Sequence, residues 1–323
     1  MSEHPPGAAF ERGRRFLVGE AAAGFPEAMH RMTFPHAAGF TGASELQSGD
    51  VFSRAILGGL LLDLADAAGG DAELQALAAE QAEHVAAQKL SDCAGGWSYF
   101  PGLPELPPDL DTLAAAIALF ARTAPQHLAL CRRPIEIALA QRAADGSIPT
   151  FLISDDDEPA RLQAMRRGVT LYWGNTADAD VLARFYRSLL RLDAAAYAPL
   201  APLEWLAGLQ QPDGDWVIPW YAGRHYGTHL CAELFDAIAP GAPAARAARA
   251  FLSRPDAAAS ALDIAVSSGD RQALFELQAE DGSWPASPWI QMPIGRPGGR
   301  IVRTLRWQSR SITTAYCLRA IQA

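Results

Sequence analysis

The sequence predicts an all-α fold of stacked helix pairs, and three observations support this prediction. Apolar residues recur at helical spacing from residue 50 onwards, and strand-like alternation is almost absent. The frame Q-x3-G-x-W occurs at residues 210–216 and 278–284, and degraded copies lie at 141–148 and 91–97. Each copy follows one helical stretch and precedes another. Single helix pairs cannot bury their apolar faces alone, so the pairs must stack into an open solenoid or a closed ring.

The chain divides into an N-terminal extension, residues 1–49, and a helical domain, residues 50–323. The extension has scattered Pro and Gly and holds one short helix. The helical domain begins with an apolar helix that ends near Ala67, where two glycines follow. Asp71 then caps a further helix that runs to about Gln88.

Each repeat turn is predicted to end one helix and to lead into a second. Asp-Gly makes the tight turn, and the aromatic residue packs back onto the helices. In the copy at 91–97, only the Gly-x-Trp ending remains, with Gly95 in the glycine position. The second helices start at residues 109–112, 178–181, 226–229 and 311–314. With one or two degenerate pairs from residues 50–90, four such pairs would close a ring.

Composition excludes several classes of protein. The net charge of −9 argues against a nucleic-acid partner, because phosphate binding needs clustered Lys and Arg. The four cysteines stand far apart without a CxxC motif or a secretory leader, which indicates reduced thiols in a cytoplasmic protein. The longest apolar run, residues 55–62, is too short to span a bilayer. Peripheral membrane contact stays open.

The Q-x3-G-x-W frame, together with D-x-D at a helix start, resembles the squalene–hopene cyclase and class II terpene cyclase family. The resemblance covers residues 50–323 and implies an (α/α) toroid of about five or six helix pairs. In that family the middle aspartic acid of D-x-D-D protonates an alkene or epoxide, and aromatic walls stabilise carbocations. It implies that Asp111 is the general acid, that Asp109 tunes it, and that Thr112 replaces the last aspartate, a variant also found in the family.

The resemblance further implies a linear prenyl or terpenoid substrate and no cofactor. Familiar members pair two or three helical domains, whereas this chain has room for one. We therefore expect the cavity to lie within one ring or at a homodimer contact.

The required chemistry can be weighed against a simpler role for the aspartates. A carboxyl group that is buried in a dry site has a raised pKa and stays protonated until it is used. Asp111 is either such an acid or only a helix-start residue, since aspartate is favoured at helix N-termini. Asp180 is a further catalytic candidate, because residues 178–181 repeat the D-x-D pattern.

Aromatic side chains around these helix starts are candidates for the cavity wall, because aromatic faces attract cations. Trp216 and Trp284 are interpreted as structural clamps that the repeat demands, and Trp97 either joins them or faces the cavity. The predicted substrate-binding residues are Thr112, Trp97, Tyr99, Tyr172, Trp173, Asp178, Trp220, Tyr221, Tyr226, His229, Trp289, Trp307 and Arg303.

Three further sequence patterns are candidates for ligand binding. The acidic run 155–158 is similar to the magnesium site of class I terpene synthases, but Pro159 follows at once, which favours a solvated run that opens a helix. The segment 295–310 has five arginines, which either hold an anionic head group or form a surface loop. His225 and His229 suggest zinc, as in prenyltransferase β subunits, but the D-x-C pairing of that family is missing, so no metal is predicted.

The sequence therefore favours a class II-like terpenoid cyclase that starts cyclisation by protonation. A non-catalytic isoprenoid-binding α/α-barrel protein is the first alternative. A carbohydrate-active α/α-barrel lyase or hydrolase is the second, and it would need an open polar groove with two carboxylates roughly 5–10 Å apart.

Overall fold

A computed structural model describes residues 6–254, 259–267, 270–294 and 303–322. The helices are α1 (Pro6–Ala22), α2 (Val51–Ala67), α3 (Ala72–Ala87), α4 (Leu110–Thr123), α5 (Arg132–Ala140), α6 (Pro159–Gly168), α7 (Ala179–Tyr197), α8 (Leu203–Leu209), α9 (His225–Ile238), α10 (Pro243–Leu252), α11 (Ala261–Val266), α12 (Arg271–Leu277) and α13 (Arg310–Gln322). The strands are β1 (His30–Thr33), β2 (Leu46–Gly49), β3 (Ser287–Ile294) and β4 (Arg303–Ser309).

Six helices form a closed inner ring. In order around the ring, α2, α4, α7, α9, α11 and α13 each pack against the next, and α13 returns to α2. An outer layer covers the ring, in which α3 packs on α2 and α4, α10 on α9, and α12 on α11 and α13. The predicted all-α fold and (α/α) toroid are confirmed.

The predicted helix limits at the start of the domain are also confirmed. Helix α2 ends at Ala67, and the Asp71 side chain caps α3 by accepting hydrogen bonds from the backbone N–H groups of Glu73 and Leu74. Helix α1 belongs to the predicted extension, and it packs against α13 where the ring closes. The domain boundary at residue 49 stays a prediction.

The two well-formed repeat motifs make the same contacts. The indole N–H groups of Trp216 and Trp284 donate to backbone carbonyls of Leu206 and Leu274, at 2.8 and 2.7 Å. The side chain of Gln278 donates to the carbonyls of Gly282 and Ala9, and Gln210 makes the equivalent pair of bonds to Gly214 and Ala244. Each motif therefore ties its turn to the next outer helix, and for Gln278 that helix is α1.

The turn glycines adopt a backbone that only glycine adopts without strain. Gly214 and Gly282 have φ values of +97° and +88°, and a Cβ on Gly282 would collide with the carbonyl oxygen of Arg12. In the copy at 91–97 the left-handed residue is Gly96, with φ of +101°, and not Gly95 as the frame predicts. Trp97 nevertheless donates its indole N–H to the carbonyl of Val85 at 2.7 Å, as a clamp does.

The prediction that strands are almost absent is wrong at two places, where pairs of antiparallel strands form. Strands β1 and β2 pair antiparallel, with His30 opposite Gly49, and β3 pairs antiparallel with β4. The buried positions of the first hairpin include His30, Gln47 and Gly49, so its alternating burial is not accompanied by alternating hydrophobicity. Among the described residues, no helix is long and apolar enough to cross a membrane.

Candidate active site

A cavity of about 490 Å³ lies at the N-terminal ends of the inner helices. Its residues come from the first turns of α2, α4 and α7, from the loops between them, and from β3. The lining residues are Phe52, Tyr99, Leu106, Asp109, Asp111, Thr150, Phe151, Val181, Trp220, Tyr221, Ile290 and Met292. Both aspartates of the first D-x-D therefore meet an apolar, aromatic space.

Asp111 lies in the first turn of α4 and is held from two sides. The hydroxyl of Tyr221 donates a hydrogen bond to Oδ2, and Nε of Arg184 lies 2.7 Å from Oδ1. The Arg184 contact is an ion pair whose N–H direction is not aligned for a hydrogen bond. Burial raises the pKa of Asp111, and the nearby Arg184 charge and the Tyr221 hydroxyl oppose this rise.

Asp109 is the N-cap of α4. Its Oδ1 accepts a hydrogen bond from the backbone N–H of Thr112 at 2.7 Å, and its Oδ2 accepts one from the Thr112 hydroxyl at 3.0 Å. Burial, together with the nearby Asp111 charge, raises the pKa of Asp109 to about 7, and the hydrogen bonds from Thr112 oppose this rise. Asp109 therefore combines capping with a protonated fraction at neutral pH, and the choice between an acid and a helix-start role for Asp111 stays open.

Arg184 is a central residue of the site that the sequence analysis did not identify. It is buried and lies against the rings of Phe52, Tyr221 and Tyr226, with its guanidinium carbon 5.5–5.8 Å from their centroids. It also donates a hydrogen bond of 2.7 Å to the Tyr226 hydroxyl, which in turn lies 2.7 Å from the Tyr316 hydroxyl. The signal in the sequence was an arginine four residues after Asp180, on the same side of the helix.

Asp178 positions one wall of the cavity. Its Oδ2 accepts hydrogen bonds of 2.7 Å from the Thr150 hydroxyl and from the indole N–H of Trp220. The Trp220 ring meets the Phe151 ring edge to face, with 5.8 Å between the centroids. A carboxylate at the start of α7 thus orients an aromatic side chain that lines the cavity.

Two aromatic rings, Trp289 and Tyr226, form a second layer behind the lining residues. Trp289 stacks on Phe52 at 5.4 Å and lies 6.3 Å from Tyr221, while Tyr226 lies 4.7 Å from Tyr221. Aromatic pairs at these separations stabilise one another and fix ring orientation. Among the predicted substrate-binding residues, Tyr99, Trp220 and Tyr221 line the cavity, and Tyr226 and Trp289 support it.

Asp180 does not line the cavity, although it is buried beneath it in α7. Neither carboxylate oxygen of Asp180 has a hydrogen-bond partner among the described residues. Burial, together with the charges of Asp178 and Asp111, raises the pKa of Asp180 well above its ordinary value. The neutral form of the Asp180 carboxyl is therefore favoured, and this carboxyl is not part of the cavity lining.

The other predicted substrate-binding residues lie away from the cavity lining. Tyr172 and Trp173 form a π-helical turn after α6 and pack on Phe40, and the Trp173 indole N–H donates to the carbonyl of Glu105. Trp307 stacks on His30 at the edge of β4. The remaining three are Trp97 in its clamp, His229 beside Glu233 at 3.5 Å, and Arg303, exposed on β4.

The acidic run makes contacts of its own. Asp157 is buried and accepts hydrogen bonds from the backbone N–H groups of Ala94 and Ser154, whereas Asp155 pairs with Arg166 on the surface. In the arginine-rich segment, residues 295–302 lie outside the described residues. Within the described ranges, no group of three or more His, Cys, Asp and Glu side chains is placed to hold a metal ion.

The fold is similar to solved structures of type II terpene cyclases. A variant of MstE from Scytonema in complex with merosterolic acid A (product) is 18% identical, with a TM-score of 0.69 over 98% of this chain and 96% of that chain. A second MstE variant, in complex with geranylgeranyl dihydroxybenzoate (substrate), gives the same identity, TM-score and coverage. A protein from Actinoplanes is 17% identical, with a TM-score of 0.66 over 98% of each chain.

No protein-family model and no curated sequence matches the chain. The similarity therefore lies in the fold, and it extends over nearly the whole length of this chain and of the neighbours. The predicted resemblance to class II terpene cyclases is confirmed at the level of the fold.

Proposed function

We propose that this protein is a class II-type terpenoid cyclase that protonates a linear prenyl chain and folds it into rings. The observation that carries the proposal is the position of Asp109 and Asp111 in one buried, aromatic-lined cavity. Burial raises the pKa of both carboxyl groups, which favours their protonated forms beside the apolar lining.

Asp111 acts as the general acid in this proposal. Its carboxyl proton passes to the terminal alkene, whose π electrons form the new C–H bond and leave a tertiary cation on the neighbouring carbon. The resulting carboxylate is stabilised by the Arg184 charge and by the hydrogen bond from Tyr221. Asp109 holds the start of the helix and, when ionised, raises the proton affinity of Asp111.

The cavity wall stabilises the cations that follow. Each internal alkene attacks the preceding cation and passes the charge along the chain, until a proton is lost or water adds. The faces of Trp220, Tyr221, Tyr99 and Phe151 line the path. The overall reaction is an isomerisation, or an isomerisation with hydration, and neither product requires a redox cofactor.

The substrate class proposed here is a prenyl chain attached to a polar head group, such as a prenylated aromatic acid. The support is the likeness to neighbours that bind geranylgeranyl dihydroxybenzoate. A homodimer and peripheral membrane contact stay predictions, as does location in the cytoplasm.

The test is incubation of the protein with prenyl alcohols, prenyl diphosphates and prenylated hydroxybenzoates, followed by mass spectrometry. We expect a cyclic isomer of unchanged mass or its water adduct. Asp111→Asn should lower turnover by about 10²- to 10⁴-fold, the range typical of a lost general acid. Wild-type turnover retained by this variant would refute the role of Asp111.

A matched control is Glu73→Gln. Glu73 is likewise a first-turn carboxylate paired with an arginine, at 2.6 Å from Arg14, but it is exposed and lies on α3 in the outer layer. Unchanged turnover in this variant would separate the loss of an acid from the loss of a helix-start charge.

A non-catalytic isoprenoid-binding protein is the second candidate. The ion pair between Arg184 and Asp111 favours it, because an ionised Asp111 has no proton to donate. Retention of a prenylated compound without conversion, by wild type and Asp111→Asn alike, would establish this alternative. The carbohydrate-active alternative fits less well, because the lining of the cavity is dominated by aromatic and aliphatic side chains.

A further inference from the structure

A second cavity, of about 850 Å³, lies inside the ring at the end opposite to the aspartates. Its residues come from the later turns of α2, α4, α7, α9 and α13. The charged residues that line it include Asp63, Arg122, Arg187, Arg191, Glu233 and Arg319, and we call it the arginine cavity. Since the first cavity is lined by the N-terminal turns of α2, α4 and α7, these inner helices run parallel from one cavity to the other.

The charges in the arginine cavity are not balanced. Arg122 and Arg319 share Asp63, at 2.6 and 3.4 Å, and Arg187 pairs with Glu233. Arg184 also lines the cavity and pairs with Asp111, and Arg122 pairs with Asp66 as well, so the five guanidinium groups have four carboxylate partners, of which two line the cavity. This concentration of positive charge is the opposite of the overall charge of the chain.

Arg191 is the unbalanced cation. In the described part of the chain it has no carboxylate within 4.0 Å, although it lines the cavity beside Arg187. Partial burial and the charges of Arg187 and Arg122 lower the pKa of Arg191, the charges of Asp63 and Glu233 oppose this, and part of the side chain is exposed.

The spacing of the arginines on α7 indicates a selected face. Arg184, Arg187 and Arg191 follow one another at three and four residues, so they lie on one side of the helix. Like charges at this spacing destabilise a helix. The backbone of α7 is broken at Asp193, so Arg191 lies in the last turn before the break, where the helix dipole favours a cation, but the dipole does not account for Arg184 and Arg187.

We propose that the arginine cavity binds a phosphate-type anion carrying two or more negative charges. Guanidinium groups bind phosphate oxygens through paired N–H donors, and the free charge of Arg191 supplies the first contact. The walls beside the arginines are aliphatic, with Leu119 and Leu230 among them, so a short apolar group can accompany the anion. Arg184, which pairs with Asp111, stands between the two cavities, so this site is separate from the proposed acid.

The experiment is titration calorimetry of the full chain with inorganic diphosphate at low ionic strength. We expect saturable binding by wild type, with a Kd that rises as salt is added. Arg191→Gln should raise the Kd at least about tenfold, which corresponds to about 1.4 kcal/mol. The matched control is Arg132→Gln, which removes an exposed arginine without an ion pair from outer helix α5.

A second pair of probes identifies the source of the anion. Geranyl diphosphate and geraniol share a chain but differ in charge. If only the diphosphate ester binds in an Arg191-dependent way, the anion is the head group of an amphiphile, and if inorganic diphosphate binds equally well, it is a free anion. Absence of binding by both anions would overturn the proposal, as would equal affinities of wild type, Arg191→Gln and Arg132→Gln. These results do not depend on cyclisation, so failure of the proposed function leaves them interpretable.

Discussion

Replacement of Asp109 by Asn should change how the stability of the protein depends on pH. Burial moves the pKa of Asp109 from its ordinary value of 3.8 to about 7 in the folded chain. The folded state then binds the proton more tightly than the unfolded state, so stability falls as pH rises from 3.8 to about 7. The full difference corresponds to about 4 kcal/mol at 1.36 kcal/mol per pH unit.

Most of this penalty develops between pH 5 and pH 8. Ionisation of Asp109 in the unfolded state lowers the free energy of unfolding by about 1.6 kcal/mol at pH 5 and by about 4 kcal/mol at pH 8. Asn keeps the capping oxygen for the Thr112 N–H but cannot ionise. We therefore expect Asp109→Asn to gain about 2–3 kcal/mol relative to wild type on going from pH 5 to pH 8.

Urea unfolding at both pH values measures this gain directly. The control is Asp270→Asn, which changes an exposed N-cap on α12 in the same way. A stability difference between Asp109→Asn and wild type that is the same at pH 5 and pH 8 would refute the reasoning, because it would mean that Asp109 does not carry a raised pKa.

Two further predictions concern buried contacts. Arg184→Gln should destabilise the protein by about 3–5 kcal/mol, because it leaves Asp111 buried without a cation. When Asp111→Asn is added to this variant, most of the lost stability should return, which a double-mutant cycle measures. Trp284→Phe should cost about 1–3 kcal/mol in urea unfolding, because the buried carbonyl of Leu274 loses its donor. Trp205→Phe, which removes an indole without a hydrogen bond, is the control, and equal losses in the two variants would contradict the clamp.

The toroid could be predicted from the sequence because its signals are local. Asp71 and Asp109 cap their helices through their own neighbouring N–H groups, and the left-handed Gly214 and Gly282 fix each turn within a few residues. Such features depend on short stretches of chain, so a repeat in the sequence becomes a repeat in the structure. Gly96 shows the limit, because in the weakest copy the left-handed position moved by one residue.

The cavity could be predicted only in part, because its walls come from distant stretches of chain. Asp111 meets Tyr221 and Arg184, which no spacing in the sequence connects to it. Aromatic residues outside the repeat frame were predicted to line the cavity, and this is correct for Trp220. Trp173 also lies outside the frame, but it packs in a separate hydrophobic cluster. Which rings face inward is decided by the loops between helices, where hydrophobic periodicity carries no information.

The hairpin of β3 and β4 serves both the packing of the ring and the shape of the cavity. It contributes Ile290 and Met292 to the cavity, and its backbone is joined to the loop before α9 by hydrogen bonds from the Ala222 N–H to the Trp289 carbonyl and from the Gln291 N–H to the Trp220 carbonyl. Trp289 and Ile290 of the hairpin belong to the buried core of the ring, whereas Met292 packs in a second cluster. In the proposed cyclase, a change of side-chain size at Met292 would alter the space for the prenyl chain while the helix that carries Asp111 keeps its packing.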